Sequence, residues 1–484
     1  MISFRSFVVV AFISGSAWAD DAPDAQPEVK PDPSKSGGEK IPLFQERLRP
    51  RYHFTAEQGY INDPNGLFFL DGTFHLFFQR KGIREKVWGH ATSKDFFYWE
   101  QHDDAITMIN KKPVFSGSAA IDYQNTTGFG SADNPPVVAC FTEWGVGQSL
   151  AYSTDRGESW QRYEGNPVLK RPGDERANFT FSSRDPHIMW DEERSRWVLV
   201  MYDNIRQEKR NGPGTHRKGF SIFTSPDLKD WTYQSHLDDF YVCPDLVQLS
   251  LDGGKEKRWV AMDWERYTVG DFDGESFSPK EEILPLDLGG KEVLSANQSW
   301  KYLPDGRSVQ ISWIRHGKFP KMPFTQQLSV PVELSLRTIE GRPRLCKWPV
   351  AELETKVPRT EVAVEKTDKG AVLSDLGLSF DLVIEPDFST SEEVEVTVLG
   401  EVMVLKEGSL TMRGKVVEIP QGVRKVRILG DVTSLEIFLN QGENTLTWNV
   451  VPKAGDEAGK VEGSWTALVA TKLGRTMLAP GERK

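Results

Sequence analysis

A turn of the form Ser-x-Asp, followed closely by a tryptophan, recurs three times in this sequence. It is seen in Thr92-Ser93-Lys94-Asp95 before Trp99, Ser153-Thr154-Asp155-Arg156-Gly157 before Trp160, and Thr224-Ser225-Pro226-Asp227 before Trp231. The Asp can cap a tight turn, and the Trp can wedge between stacked sheets. The spacing of roughly 60–70 residues fits one four-stranded blade with its loops, and periods of this order mark propellers or solenoids. Between the turns lie short apolar runs such as Trp197-Val198-Leu199-Val200-Met201-Tyr202, Trp259-Val260-Ala261-Met262 and Val309-Gln310-Ile311-Ser312-Trp313. No long segment carries a helical period. The reading is all-β, with a five-bladed β-propeller over residues 46–345.

Beyond a linker at 346–360, apolar and polar residues alternate in Leu378–Glu385, Glu392–Leu399, Val402–Lys406, Val423–Leu429, Leu435–Leu439 and Thr445–Val451. That is the pattern of half-buried antiparallel strands, so residues 361–478 are predicted to form a C-terminal β-sandwich in a supporting role.

The ends and the composition narrow the function. Residues 1–19 have the form of a secretory signal: Arg5, an apolar stretch from Phe7 to Gly15, then Ala17-Trp18-Ala19 as a cleavage site. Residues 20–45 are rich in Asp, Pro, Lys, Ser and Gly and read as a disordered tether. The expected protein is exported, with no membrane insertion. Of 484 residues only three are cysteines, Cys140, Cys243 and Cys346, which read as small buried thiols. Net charge is −11 without a basic block, so nucleic acid is a poor partner. No metal-ligand spacing, phosphate loop or dinucleotide fingerprint is present, so no cofactor and no metal are implied. Oligomeric state leaves no trace in the sequence.

Two carboxylates stand out. Tyr60-Ile61-Asn62-Asp63-Pro64-Asn65-Gly66 runs into Leu67-Phe68-Phe69-Leu70, and Phe74-His75-Leu76-Phe77-Phe78-Gln79 follows the turn signal Asp71-Gly72. Asp63 is thus expected at the lip of a buried hairpin, with Pro64 biasing it to extended backbone. Ser183-Arg184-Asp185-Pro186 offers a second Pro-fixed carboxylate beside a planar multi-donor cation. Alone, Arg-Asp-Pro is a common turn; beside the first motif on one propeller it gains weight.

These motifs resemble glycoside hydrolase family 32, the invertases, levanases and inulinases. The likeness extends through Trp88-Gly89-His90-Ala91-Thr92-Ser93, Phe115-Ser116-Gly117-Ser118, Gln148-Ser149-Leu150-Ala151-Tyr152-Ser153, Cys243-Pro244-Asp245-Leu246, Gly270-Asp271-Phe272-Asp273-Gly274 and Leu435-Glu436-Ile437-Phe438-Leu439-Asn440. It implies a propeller-plus-sandwich fold and a retaining hydrolase of β-fructosides such as sucrose, levan or inulin. It further implies Asp63 as nucleophile and Asp185 as transition-state stabiliser. Asn62, Gln79, Trp88, Phe115, Ser116 and Arg184 would line the sugar pocket.

The sequence departs from the family at the proton donor. Where the family has Trp-Glu-Cys-Pro-Asp, this chain has Tyr241-Val242-Cys243-Pro244-Asp245. Valine carries no transferable proton, and losing a general acid costs about 10²–10⁴-fold. A second departure is Val293-Leu294-Ser295-Ala296-Asn297-Gln298 in place of Asp-Phe-Tyr-Ala-Ala-Gln. Three explanations compete. A substitute acid could act, with Glu265 first and Glu292, Glu143 and Asp239 behind it. The enzyme could be slow, or take a leaving group that needs little protonation. Or the chain could be a non-catalytic relative that binds a fructan or another neutral glycan. A purely structural propeller is disfavoured by the company of Asn62, Asp63, Gln79, Arg184 and Asp185, and a sialidase-type site lacks its arginine cluster.

Overall fold

The computed structural model describes residues 42–82, 85–170, 183–209, 212–289 and 293–478. The expected leader at 1–19 and the tether up to residue 41 lie outside the described residues. Five antiparallel sheets follow one another along the chain. Their first strands are Gly59–Leu70, Val114–Ile121, Arg184–Asp191, Asp245–Ser250 and Leu294–Ser299. The first strand of the second sheet packs against those of the first and third, and that of the fifth against those of the fourth and first, in the manner of a five-bladed propeller. Asp71 and Gly72, at φ 50° and 75°, make the expected two-residue turn, with Leu70 opposite Thr73.

The recurring Ser-x-Asp turn joins the third strand of a blade to its fourth. Asp95 Oδ1 accepts the Phe97 and Tyr98 N–H groups at 3.1 and 2.9 Å, while Trp99 Nε1 donates to Phe96 O at 2.7 Å. Asp227 and Trp231 repeat the arrangement in blade three, and Asp155 and Trp160 in blade two. Blade four has the same turn, unnoticed in the sequence because its wedge is Phe277: Asp273 Oδ1 accepts the Glu275 and Ser276 N–H groups at 2.9 and 2.7 Å.

The ring closes where Phe324–Thr325 pairs in parallel with Gly59 and Tyr60 of the first blade. A partly buried lysine also ties blades together, because Lys301 Nζ donates to the carbonyls of Ala119 and Ile188.

Two sheets of six and seven strands form the C-terminal sandwich, and each of the six expected alternating segments is a strand there. Two boundaries need correction. The segment expected as a linker, 346–360, is folded: Arg342–Pro349 is the last strand of blade five, and Glu352–Lys356 is a short helix. Val350, Leu353 and Val357 are buried in a core cluster that also holds Leu429, Phe438 and Leu473 of the sandwich. Prolines at 343, 349 and 358 read as breakers and masked that apolar face. The end of the expected tether is folded as well, since Phe44 is 1% exposed and lies in the same cluster.

His53 fastens propeller to sandwich. Its Nδ1 meets Asp431 Oδ2 at 2.8 Å and its Nε2 meets Glu436 Oε1 at 2.6 Å, all three groups being buried. Burial opposes the charged ring, but the two carboxylates outweigh it and push the imidazolium up to about 9. Asp431, buried yet bonded to His53 and to backbone N–H groups, is held below the usual carboxylate value. The histidine contribution is fully present below its unfolded value of about 6.5 and lost as pH rises through 9. The Asp431 contribution is present above about 4 and lost as pH falls through its lower folded value. Removing one member of a buried pair costs about 3–5 kcal/mol. His53→Gln is therefore expected to lower the thermal midpoint strongly at pH 6 and much less at pH 10. A deficit equal at both pH values would rule out a charged clasp.

Candidate active site

A cleft is lined by Asp63, Pro64, Asn65, Ser116, Gly117, Asp185, Pro186, Cys243, Pro244, Ala296, Asn297 and Gln298. Side chains at the cleft floor tie neighbouring blades to one another. Asn65, fully buried, donates from Nδ2 to Asp63 O at 2.9 Å and accepts the Gly117 N–H at 3.0 Å. Gln298 accepts the Leu67 N–H and donates to Gly117 O, at 3.1 and 3.0 Å. Two glycines of the motifs are sterically required. Gly66 has φ 56°, and a Cβ there would stand 2.9 Å from Trp88; a Cβ on Gly117 would stand 2.0 Å from Cys140 O.

Asp63 lies on an irregular stretch of the first strand of blade one, where the pairing register shifts between Ile61 and Pro64. It is at the far end from the Asp71-Gly72 turn. Its Oδ1 accepts from Asn62 Nδ2 at 3.1 Å, and its Oδ2 from Ser116 Oγ at 2.5 Å. Gln79 braces both donors, giving an N–H to Ser116 Oγ at 2.6 Å and accepting Asn62 Nδ2 at 2.5 Å. Donors on both oxygens hold the carboxylate in one orientation. Asn62 Oδ1 is buried without a hydrogen-bond partner among the described residues, an acceptor left for a ligand hydroxyl.

Asp185 departs from the extended backbone that Pro186 favours. It sits at φ 61°, a left-handed conformation costing on the order of 1–3 kcal/mol. Its N–H donates to Thr142 Oγ1 at 2.9 Å, and its Oδ2 accepts the Cys243 N–H at 3.2 Å. Burial raises its carboxyl; the Arg184 guanidinium, 3.7 Å away, pulls it down, the Asp63 charge pushes it up, and the balance is about 6.

That value carries a prediction. A carboxyl raised on folding adds stability below its unfolded value of about 4 and loses it as pH rises through 6, so the ionised group costs roughly 3 kcal/mol at neutral pH. Asp185→Asn should therefore unfold at higher temperature than the parent at pH 8 and show no such gain at pH 4. A lower midpoint for the variant at pH 8 would refute this.

Cys243 is corrected from a merely structural thiol to a cleft residue. Its Sγ lies 3.9 Å from Asp63 Oδ2 and 3.8 Å from Asp185 Oδ2, so one sulfur touches both carboxylates. Burial and those two charges push the thiol well above its ordinary value, and it serves them as an S–H donor.

Lys86, absent from the sequence-level candidates, is buried with Nζ bonded to Gln79 Oε1 and 5.3 Å from the Phe115 ring centre. Burial holds its ammonium below the usual lysine value against the pull of Asp63 and Asp185. Its nearness to Trp88 in sequence was the available signal. Phe115 stacks on the half-exposed Trp144, with ring centres 4.8 Å apart.

Trp88 itself is not a pocket wall. It is 0% exposed, belongs to the core cluster of Phe68, Phe77 and Phe141, and donates Nε1–H to Phe115 O at 2.9 Å. Flanking apolar residues on its strand, Val87 and Ala91, are buried with it.

Val242 is buried, with its carbonyl accepting the Trp264 N–H at 3.1 Å. None of the described substitute acids lines the cleft. Glu265 sits in the turn Asp263-Trp264-Glu265-Arg266, where its N–H donates to Asp263 Oδ1 at 3.0 Å and its carbonyl accepts Leu286 N–H. Glu143 pairs with Arg162 at 3.3 Å and accepts Ser149 Oγ–H at 3.0 Å. Asp239 is exposed, its carbonyl accepting Arg266 Nη2 at 2.8 Å. Glu292 lies outside the described residues. Among the described residues, no group of three or more His, Cys, Asp or Glu side chains is placed to hold a metal ion.

The profile of the glycosyl hydrolases family 32 N-terminal domain matches residues 53–349, more than half of the chain. A levanase of Bacillus subtilis (strain 168) is 35% identical over 347 residues, covering 64% of this chain and 48% of the levanase. The chain thus spans about half the length of that relative. An extracellular exo-inulinase of Aspergillus niger is 27% identical over 498 residues, 84% of this chain and 90% of the inulinase. Among solved structures, the exo-inulinase of Aspergillus awamori matches 90% of this chain and 99% of its own, with a TM-score of 0.76 at 24% identity. That likeness is one of fold.

Proposed function

From the premise that the chain belongs to glycosyl hydrolase family 32, we propose that it is an exported β-fructosidase in which Asp63 attacks the anomeric carbon. The observation that carries the reading is the pairing of Asp63 and Asp185 about one sulfur at the floor of a cleft. Retaining glycoside hydrolysis begins with a carboxylate nucleophile and passes through a covalent glycosyl ester that water then cleaves. Ser116 and Asn62 hold Asp63 aimed. Asp185, Asn62 Oδ1 and Arg184 supply acceptors and donors for the hydroxyls of a furanose ring. Phe115 and Trp144 offer an apolar face to sugar C–H groups.

Relatives named levanase, inulinase and invertase support a fructoside as substrate. Relatives named extracellular exo-inulinase agree with the leader-like residues 1–19. The test is an assay of free fructose after incubation with sucrose, inulin, levan and an aryl β-fructofuranoside. Fructose released above an enzyme-free blank from any of them supports the proposal.

One observation favours a second reading: a valine stands where the family carries its proton donor. A binding-only relative would retain fructan in affinity electrophoresis and release no fructose from any of the four.

A further inference from the structure

The surroundings of Val242 are cationic as well as aromatic. Tyr241, its neighbour, packs edge to face on Trp264 with ring centres 5.4 Å apart. Arg184 lies 4.9 Å from the Tyr202 ring centre and 5.7 Å from that of Tyr241. Lys218 Nζ is 5.6 Å from Tyr241, and Arg315 is 4.9 Å from Trp264. The nearby Asp263 is buried against Arg266 at 2.6 Å, so its charge is met within its own turn. Two cations thus lie on Tyr241, the chain neighbour of Val242, and a third on Trp264, whose ring packs on Tyr241. Arg184 also faces Asp185 at 3.7 Å, while Lys218 and Arg315 complete a cationic collar beside the position at which a family member would present an acid.

An acid and a cation answer the same need in different ways. When the glycosidic bond breaks, its electron pair goes to the departing oxygen. A sugar alkoxide is too basic to leave without a proton, whereas a weakly basic oxyanion leaves without one and is steadied by positive charge. Aromatic rings hold the cations in place and keep water from the departing group.

We propose, resting on the fructosidase reading above, that the substrate is a β-fructoside whose leaving group departs as an oxyanion stable in neutral water, such as a phosphate or an acidic phenolate. Asp63 forms a bond to the anomeric carbon as the carbon–oxygen bond breaks, and the leaving group takes the pair and remains unprotonated. Water then attacks the anomeric carbon, the ester oxygen returns to Asp63 as carboxylate, and one proton passes to solvent. Val242 removes the usual base of this second step along with the acid of the first. The fructosyl ester is therefore expected to accumulate when the first step is easy.

The experiment compares 4-nitrophenyl β-fructofuranoside, β-fructofuranosyl phosphate and sucrose with the full-length protein, followed by mass spectrometry of the peptide carrying Asp63. Expected are a stoichiometric burst of nitrophenolate or phosphate, a fructosyl mass on that peptide, and sucrose turnover at least ~10²-fold slower. A burst with the phosphate alone or the aryl fructoside alone identifies which oxyanion the collar accepts. Lys218→Glu should slow the burst several-fold while leaving the thermal midpoint unchanged. If sucrose is cleaved as fast as the activated substrates, a protein acid is at work and the inference is overturned, while the fructosidase reading stands. If no substrate is cleaved and no mass is added, both fall together.

Discussion

Asp63→Asn is expected to abolish fructosyl transfer, with a fall of roughly 10⁴-fold or more in the release of leaving group from an aryl β-fructofuranoside. The amide keeps the size of the carboxylate and can still meet Asn62 or Ser116, but it cannot form the ester. The loss should fall on kcat rather than KM, because Asp185, Arg184 and Asn62 still hold the sugar. The variant should fold, since Asp63 lies on the cleft and the main chain around it is fixed by Asn65 and Gly66. Stopped-flow release of nitrophenolate measures the first step directly. Retention of more than a tenth of the parental rate would remove Asp63 from the nucleophile's role.

Val242→Glu is expected to raise sucrose and inulin turnover by about 10²–10⁴-fold, the usual worth of a positioned general acid. The main chain at this position is anchored on both sides: Val242 O accepts Trp264 N–H at 3.1 Å, and Cys243 N–H donates to Asp185 at 3.2 Å. A glutamate placed there would stand beside Arg184, whose charge favours ionisation, and within a partly apolar wall, which opposes it. Hydrolysis of the aryl fructoside should change less in its first step, because that leaving group needs no proton. Measuring both substrates with the same variant separates acid catalysis from a general repair of folding. A Val242→Glu protein with unchanged sucrose turnover, correctly folded by its thermal midpoint, would show that something other than the missing acid limits the reaction.

The parts of this molecule that were legible in the sequence are those set by local chemistry. The Asp71-Gly72 hairpin, the six strands of the sandwich and the capped turns at Asp95, Asp155 and Asp227 each follow from neighbours in the chain. Asp63 and Asp185 were found for the same reason: each sits in a short motif with its own turn-forming residues. What escaped was long-range. His53 meets partners 378 and 383 residues away. Lys86 reaches Gln79 from the residue before the neighbouring strand, and no period marks it as different from an exposed lysine. Trp88 was assigned to the pocket by the family resemblance, yet the packing of Phe68, Phe77 and Phe141 claims it for the core. Cys243 was read as inert for want of a partner cysteine, although its neighbours of consequence were the two carboxylates.

Gly66, Asp185, Cys243 and Ala296, from four different blades, share one backbone habit: φ of 56°, 61°, 55° and 54°. Three of the four, Asp185, Cys243 and Ala296, line the cleft and take this twist without being glycine. The contour of the cavity is thus inherited in part from peptide geometry, with one kink in each of four blades. Shape and reactivity can then drift apart over time. A proton donor can be lost from one kink while the mould that once positioned it persists, ready to receive a different substrate or a returning acid.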